Sequence, residues 1–313
     1  MKVFITGASG MLGSALMRHY AVNGHKVRGY DVFSEQASIT VGDIRNATTL
    51  NQAMLEFGPD RVYHCAAMLG VQNTENNPNL CREINEYGTQ IVYTAAQLAR
   101  AKSFIFTSSS EVYGDPGDDT PMAETYPLKG NNVYARGKAR SEHYLLNKDS
   151  DMKIVIARMF NCYGLGQVKQ FFVPKVVHQL ANGQSPHLFG NPENKRCYLY
   201  AQDAAMFLSH IADRANNGEI VNVSSNEVLR LKDVVMKTAA AFPNPVIPHY
   251  VVLPNTYDDR SVSRDIPNRI ADTTRLRQIS TSVPTLFTKG IARVVQYRSG
   301  LREGWVYDTR LMS

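Results

Sequence analysis

Over the first 160 positions, short apolar runs alternate with longer stretches in which apolar residues recur every three or four places. The runs are KVFIT (2–6), KVRGYD (26–31), ITVGDI (39–44), RVYHCAA (61–67), SFIFTSS (103–109) and KIVIARMF (153–160). They are rich in β-branched and aromatic residues and apolar on both faces, which predicts strands of a sheet covered on both sides. Helical spacing predicts helices over 11–22, 46–57, 79–101 and 131–147. Strand and helix in this alternation predict an α/β fold with a doubly wound parallel sheet. After about residue 160 the rhythm breaks, with Pro, Asn and Gly frequent in 190–194 and 240–255. A charged segment at 257–269 precedes a last helix near 284–298. Residues 1–160 are therefore expected to form the main domain. Residues 161–313 would form mainly a smaller lobe, with some segments returning to the sheet. Such a lobe sits at the C-terminal ends of the strands, where ligands of these sheets bind.

Composition narrows the class. The chain has 313 residues, 43% hydrophobic and 20% charged, as in ordinary globular proteins. No apolar run approaches the ~18 residues of a membrane span. The opening MKVFITGASG meets glycine too early for a secretion signal and reads as a strand. Cys65, Cys81, Cys162 and Cys197 form no CxxC pair, which argues against a zinc site or disulfide framework and suits a reducing, cytoplasmic setting. His64, His143 and the Asp118–Asp119 pair lack metal-ligand spacing, so no metal is expected. The net charge is +6, but Lys and Arg are dispersed and no nucleic-acid motif is present. Surplus positive charge also suits an enzyme that handles a small polyphosphate-bearing molecule.

TGASGMLG (6–13) follows the first strand and opens the first helix, the context that gives a glycine triplet meaning. Gly7 permits the tight turn, Gly10 lets backbone approach a pyrophosphate, and Gly13 allows close helix–strand packing. The helix N-terminus offers free N–H groups and partial positive charge to the phosphates. The sheet is thus expected to be Rossmann-type. Asp31 ends the second strand, where a carboxylate accepts hydrogen bonds from the adenosine ribose and repels a 2′-phosphate; this favours NAD over NADP. Asp43 either reaches the adenine amino group or caps the helix that begins near Asn46. Tyr134 and Lys138 stand at i and i+4 on one helical face. An ammonium beside the phenol, together with a positive nicotinamide ring, would lower its pKa, so that Tyr134 takes a proton from a carbinol.

The chain from residue 1 to about 225 resembles the extended short-chain dehydrogenase/reductase family, in particular its NAD-dependent nucleotide-sugar epimerases and dehydratases. The resemblance rests on TGASGMLG (6–13), HCAA (64–67), INEYGT (84–89), TSSSEVYGD (107–115), YARGK (134–138), RMFNCYGLGQ (158–167) and RCYLYAQDAA (196–205). It implies NAD as cofactor and a nucleoside-diphosphate sugar as substrate. Ser109 would hydrogen-bond the hydroxyl being oxidised, with Tyr134 and Lys138 acting as above. Met11, Leu12, Ile44, Ala66 and Asn85 would line or support the cofactor site. Ser110, Asn161 and Arg196 would face the substrate, the last two holding its diphosphate. Relatives pair through two long helices, which implies a homodimer through 79–101 and 131–147.

Glu111 is the most informative residue. By resemblance, 4-epimerases carry a small neutral residue there, whereas members acting at C5 or C6 carry Glu. Once C4 is a ketone, the C5 proton is acidic and a carboxylate can remove it. Strand alternation would turn Ser109 and Glu111 to the same side; the blander reading is that Glu111 pairs with an arginine or caps a turn. The family's dehydratases often have Asp immediately before this Glu, but here Ser110 stands there, and the usual Pro of the YGPGQ-type stretch is Leu165. The resemblance therefore implies oxidation at C4 followed by 4,6-dehydration or decarboxylation. The alternatives are a 4-epimerase, a 4-keto-sugar reductase, or a non-catalytic NAD-sensing module.

Overall fold

The computed structural model describes residues 1–34, 36–243, 249–254 and 266–300. The first half follows the predicted alternation: β1 (Lys2–Thr6), α1 (Met11–Val22), β2 (Lys26–Asp31), β3 (Ile39–Val41), α2 (Ala47–Phe57) and β4 (Arg61–His64). Next come α3 (Val71–Asn76), α4 (Pro78–Arg82), a π-helical turn (Glu83–Tyr87), α5 (Gly88–Leu98) and β5 (Ser103–Ser109). A 3-10 turn (Ser110–Tyr113) leads to α6 (Val133–Leu146), β6 (Lys153–Met159) and β7 (Asn161–Tyr163). The remainder is α7 (Phe172–Ala181), β8 (His187–Phe189), β9 (Lys195–Tyr200), α8 (Ala201–Arg214), β10 (Glu219–Val223), β11 (Val228–Arg230) and α9 (Leu231–Ala240). β12 (Val251–Leu253), β13 (Asn268–Arg269), α10 (Thr274–Ile279) and α11 (Phe287–Gly300) complete it.

Seven parallel strands form the central sheet in the order β10-β6-β5-β4-β1-β2-β3. The strands are buried on both faces because alternate side chains enter two different cores. Val3 and Ile5 join Leu16, Tyr63, Ile105, Val155 and Leu208 on the side of α1 and α8. Phe4 joins Leu50, Met54, Val62, Val92, Phe104 and Ile156 on the side of α2 and α5. The edge strand β10 comes from the second half of the chain, so the main sheet closes only after residue 219. A smaller sheet is centred on β9, which pairs with β7, β11 and β13. β6 runs almost directly into β7, which sets this smaller sheet at the C-terminal end of the large one.

Two expectations are refined. The helix expected over 79–101 runs from Pro78 to Leu98 and holds a π turn at Glu83–Tyr87. Pro78 has no N–H to donate, so it opens a new helix, α4, as a first-turn residue. The π turn then interrupts the ladder at Asn85, whose carbonyl accepts from Thr89 and Ser141 hydroxyls, each at 2.8 Å. The strand expected over 39–44 stops at Val41, because Gly42 turns back to donate to the Asp31 carbonyl at 2.8 Å. Of the charged segment 257–269, residues 257–265 lie outside the described residues.

Candidate active site

The glycine loop forms where β1 hands over to α1. Gly7 has φ +69°, and a Cβ on it would lie 2.6 Å from the Ala66 nitrogen. A Cβ on Gly13 would lie 2.0 Å from the Gly7 carbonyl oxygen. Only hydrogen fits at either place, which leaves the α1 N-terminus pressed against the strand ends. Gly10 is its N-cap and supplies no side chain to satisfy the first-turn N–H groups. Met11 and Leu12, partly buried, pack on the core from that first turn. Ala66 donates its N–H to Thr6 Oγ1 at 3.3 Å, so the chain end of β4 lines the same cleft. These features fit a dinucleotide's diphosphate.

Asp31 lies beside this loop and accepts from the Ser9 N–H at 2.9 Å. Burial pushes its pKa up, with the Ser9 bond acting the other way. Asp43 does not cap α2: Asn46 is the cap, its side chain accepting from Thr49 N–H at 3.2 Å. The Asp43 carboxylate is instead gripped by Arg45, with Nε at 3.1 and 3.0 Å and a terminal nitrogen at 2.6 Å. That grip holds its pKa below the usual carboxylate range. Ile44 is buried under Gly88 rather than open to the cleft by its side chain. Asn85 spends its side chain on the chain after β4: Oδ1 accepts from Met68 N–H at 2.9 Å and Nδ2 donates to Met68 O at 3.1 Å.

β5 and α6 bring the reactive groups together. Ser109 ends β5, and Tyr134 stands in the first turn of α6. Lys138, one turn further, is buried; its ammonium donates to the Thr107 carbonyl at 2.9 Å and lies 5.9 Å from the Tyr134 ring centroid. Burial lowers its pKa to about 8. In the protein alone, burial and then the Glu111 charge push the Tyr134 phenol above its ordinary value; Ser109 and Arg269 only partly oppose them. Lowering it requires the further positive charge of a nicotinamide ring.

Glu111 sits just past the strand, in the 3-10 turn, so strand alternation does not orient it. Its N–H donates to Ser109 Oγ at 3.2 Å, which brings the two residues together through the turn. Its carboxylate accepts from Asn132 Nδ2 at 2.8 Å and faces Arg269 at 3.6 Å. Arg269 was not singled out in the sequence, where it is one cation in a charged stretch. In the fold, β13 carries it to the site with its side chain 11% exposed, and its buried Nε has no hydrogen-bond partner among the described residues. Arg196 does not stand open toward a diphosphate. Its guanidinium donates to the carbonyls of Lys195 and Pro267, both at 2.8 Å, and to that of Ile266, holding the chain just before Arg269. Asn161 has a buried Oδ1 with no hydrogen-bond partner among the described residues. Ser110 is buried beside Glu111.

The remaining candidates have structural roles. His64 bridges Thr6 Oγ1 at 2.7 Å and Thr89 Oγ1 at 2.9 Å, and burial drives its pKa well down, so it is neutral. Burial raises the Cys65 and Cys162 thiols to about 12, too high for a reactive thiolate. Among the described residues, no group of three or more His, Cys, Asp or Glu could hold a metal ion, and no helix is long and apolar enough to cross a membrane.

Comparison with known proteins gives the family and the fold. The chain is 26% identical over 320 residues to the UDP-N-acetyl-alpha-D-glucosaminuronate decarboxylase of Bacillus cytotoxicus, covering 95% of this chain and 97% of that one. It is 24% identical over 276 residues to a trifunctional UDP-glucose 4,6-dehydratase, epimerase and reductase of Arabidopsis thaliana, of which it spans 39%. Its fold matches the UDP-glucose 4-epimerase of Thermotoga maritima with a TM-score of 0.86 at 21% identity, covering 97% of this chain and 100% of that one. A family model described as the NAD dependent epimerase/dehydratase family matches residues 3–224. The chain belongs to that family, with NAD as its cofactor.

Proposed function

We propose that the protein oxidises C4 of a nucleoside-diphosphate uronic acid and releases carbon dioxide from the resulting 4-ketone. The glycine loop, the α1 N-terminus and Asp31 would hold NAD, which supplies the hydride acceptor and, later, the donor. Ser109 hydrogen-bonds the C4 hydroxyl, and Tyr134 takes its proton as the C4–H bond breaks. The carboxylate then lies β to a ketone. The C5–C6 bond breaks, carbon dioxide leaves, and the electron pair passes to the C4 oxygen as an enolate. Protonation at C5 restores the ketone. Return of hydride to C4, with a proton from Tyr134 to oxygen, completes the product.

The observation that carries this reading is Arg269, a nearly buried guanidinium at the Ser109–Glu111–Tyr134 cluster with an Nε unpartnered among the described residues. A substrate carboxylate is what such a donor recognises. Ser110 supports it from the other side, because 4,6-dehydration needs an acid for the departing C6 hydroxyl and decarboxylation does not. To test it, the protein is offered uridine, thymidine, guanosine and cytidine diphosphate sugars, both hexoses and uronic acids, and the products are weighed. Loss of carbon dioxide from a uronic acid is expected. Loss of water, or unchanged mass with new stereochemistry, replaces this reading with dehydration or epimerisation. Arg269→Ala should lower kcat/KM for the uronic acid about 100-fold. Arg269→Lys should recover only part of that, since a point charge lacks the planar fork.

Asp31→Ala should weaken NAD binding about tenfold while reducing discrimination against NADP, as fluorescence titration would register. A homodimer through α5 and α6 is part of the same proposal. It is supported by Tyr87, Leu98 and Leu146, which are exposed on that side of the fold; sedimentation equilibrium tests it.

A further inference from the structure

Gln167 closes the RMFNCYGLGQ stretch (158–167) and stands on the loop that follows β7. That loop crosses the mouth of the cleft. At one end Gly166 lies against α1, where a Cβ on it would be 3.8 Å from Met11 Cα and 3.9 Å from Ser14 Oγ. At the other end Gln170 reaches the chain after β4, where a Cβ on Gly70 would be 3.1 Å from its Nε2. β1 and β4 are adjacent strands whose connections leave in opposite directions along the sheet, to β2 and to β5. The crevice between their ends is where such sheets bind a dinucleotide. Residues 166–170 therefore bridge its two walls.

Gln167 is 8% exposed, and its Nε2 donates to the Cys162 carbonyl of β7 at 2.9 Å. A carbonyl only accepts, so this bond fixes which end of the amide faces β7 and leaves Oε1 at the other. Oε1 is buried and has no hydrogen-bond partner among the described residues. An amide oxygen is costly to bury in that state, so the position calls for a donor that arrives with a ligand. The chemistry of NAD narrows the donor. The diphosphate offers only acceptors, which Oε1 would repel. The adenine amino group belongs at the far end, beyond Asp31. In the function proposed for this chain, the nicotinamide ring lies at Ser109 and Tyr134, at the end of β5. β7 continues β6, which pairs with β5 on the side away from β1. From α1 toward β7 the cofactor would thus run diphosphate, ribose, ring, and a side chain anchored on β7 meets the ring's carboxamide.

We propose that Gln167 is a cofactor-binding residue: anchored through Nε2 on β7, its Oε1 accepts a hydrogen bond from the carboxamide N–H of the nicotinamide ring. The contact restrains rotation of the ring about its bond to ribose and so holds the hydride-accepting carbon toward Ser109 and Tyr134. This rests on the preceding reading only in placing the ring there, whichever sugar is used. The test needs no sugar. The full chain is titrated calorimetrically with NAD and with its 3-acetylpyridine analogue, in which a methyl replaces the amide nitrogen. The parent should bind the analogue about tenfold more weakly, because Oε1 is then buried without a donor. Gln167→Leu should weaken NAD by a similar factor and leave the analogue almost unaffected, so the preference collapses. Equal parent affinities for the two overturn the proposal. So does a variant that weakens both alike, the result expected of a residue that only shapes the loop or that meets a ribose hydroxyl. If thermal melts show that Gln167→Leu does not fold, Gln167→Met, which keeps the length of the side chain, takes its place, and the parent preference is decisive by itself. Failure to decarboxylate a uronic acid would count against the proposed function and leave these affinities to decide this one.

Discussion

Tyr134→Phe is expected to lower kcat by about 10²–10⁴-fold while leaving NAD affinity unchanged. The substitution removes one oxygen and keeps the ring, so the wall of the cleft and the first turn of α6 stay in place. What is lost is the atom that, on the proposed mechanism, would accept the carbinol proton. Burial and Glu111 hold that phenol protonated in the free protein. Its deprotonation should consequently depend on bound oxidised NAD, whose ring carries positive charge. In the parent protein, the tyrosinate absorbance should rise at lower pH with NAD⁺ bound than without it. The variant should show neither this titration nor appearance of NADH absorbance in a single turnover. Turnover within tenfold of the parent would remove Tyr134 from the chemistry.

Gly13→Ala should abolish measurable NAD binding and destabilise the fold by about 1–3 kcal/mol or more. The new methyl would meet the Gly7 carbonyl at 2.0 Å and Ala8 Cα at 2.8 Å. These are backbone atoms of the loop itself and cannot rotate away as a flexible side chain would. Relief requires α1 to move off β1, which misaligns the N–H groups that face the phosphates and opens the core where Ala15 and Leu16 pack. Calorimetric titration with NAD and thermal melts measure the two effects separately. A variant that binds NAD normally would show that the helix does not need to approach so closely.

Much of the main domain was legible along the chain. KVFIT and SFIFTSS are apolar on both faces because cores lie on both sides of the sheet, and their observed limits match the expected ones. The glycine loop was equally readable, since hydrogen alone satisfies the two close approaches. Finer detail was not legible. The helix expected over 79–101 carries a π turn around Asn85, whose side chain serves the chain after β4. Asn46 rather than Asp43 caps α2, and the Asp43 carboxylate pairs with Arg45.

Strand and helix identity, the phosphate loop, the Tyr134–Lys138 spacing and the family were settled by the sequence alone. These depend on contiguous residues, where backbone sterics and the 2.0 and 3.6 periods act directly. Tertiary structure alone brought Arg269 to Glu111, turned Arg196 inward to hold that segment, and laid the loop of Gln167 across the cleft. It also decided the charge state of the phenol. Ion pairing and desolvation depend on which groups chain closure brings within a few ångströms, and no local pattern of residues encodes that distance.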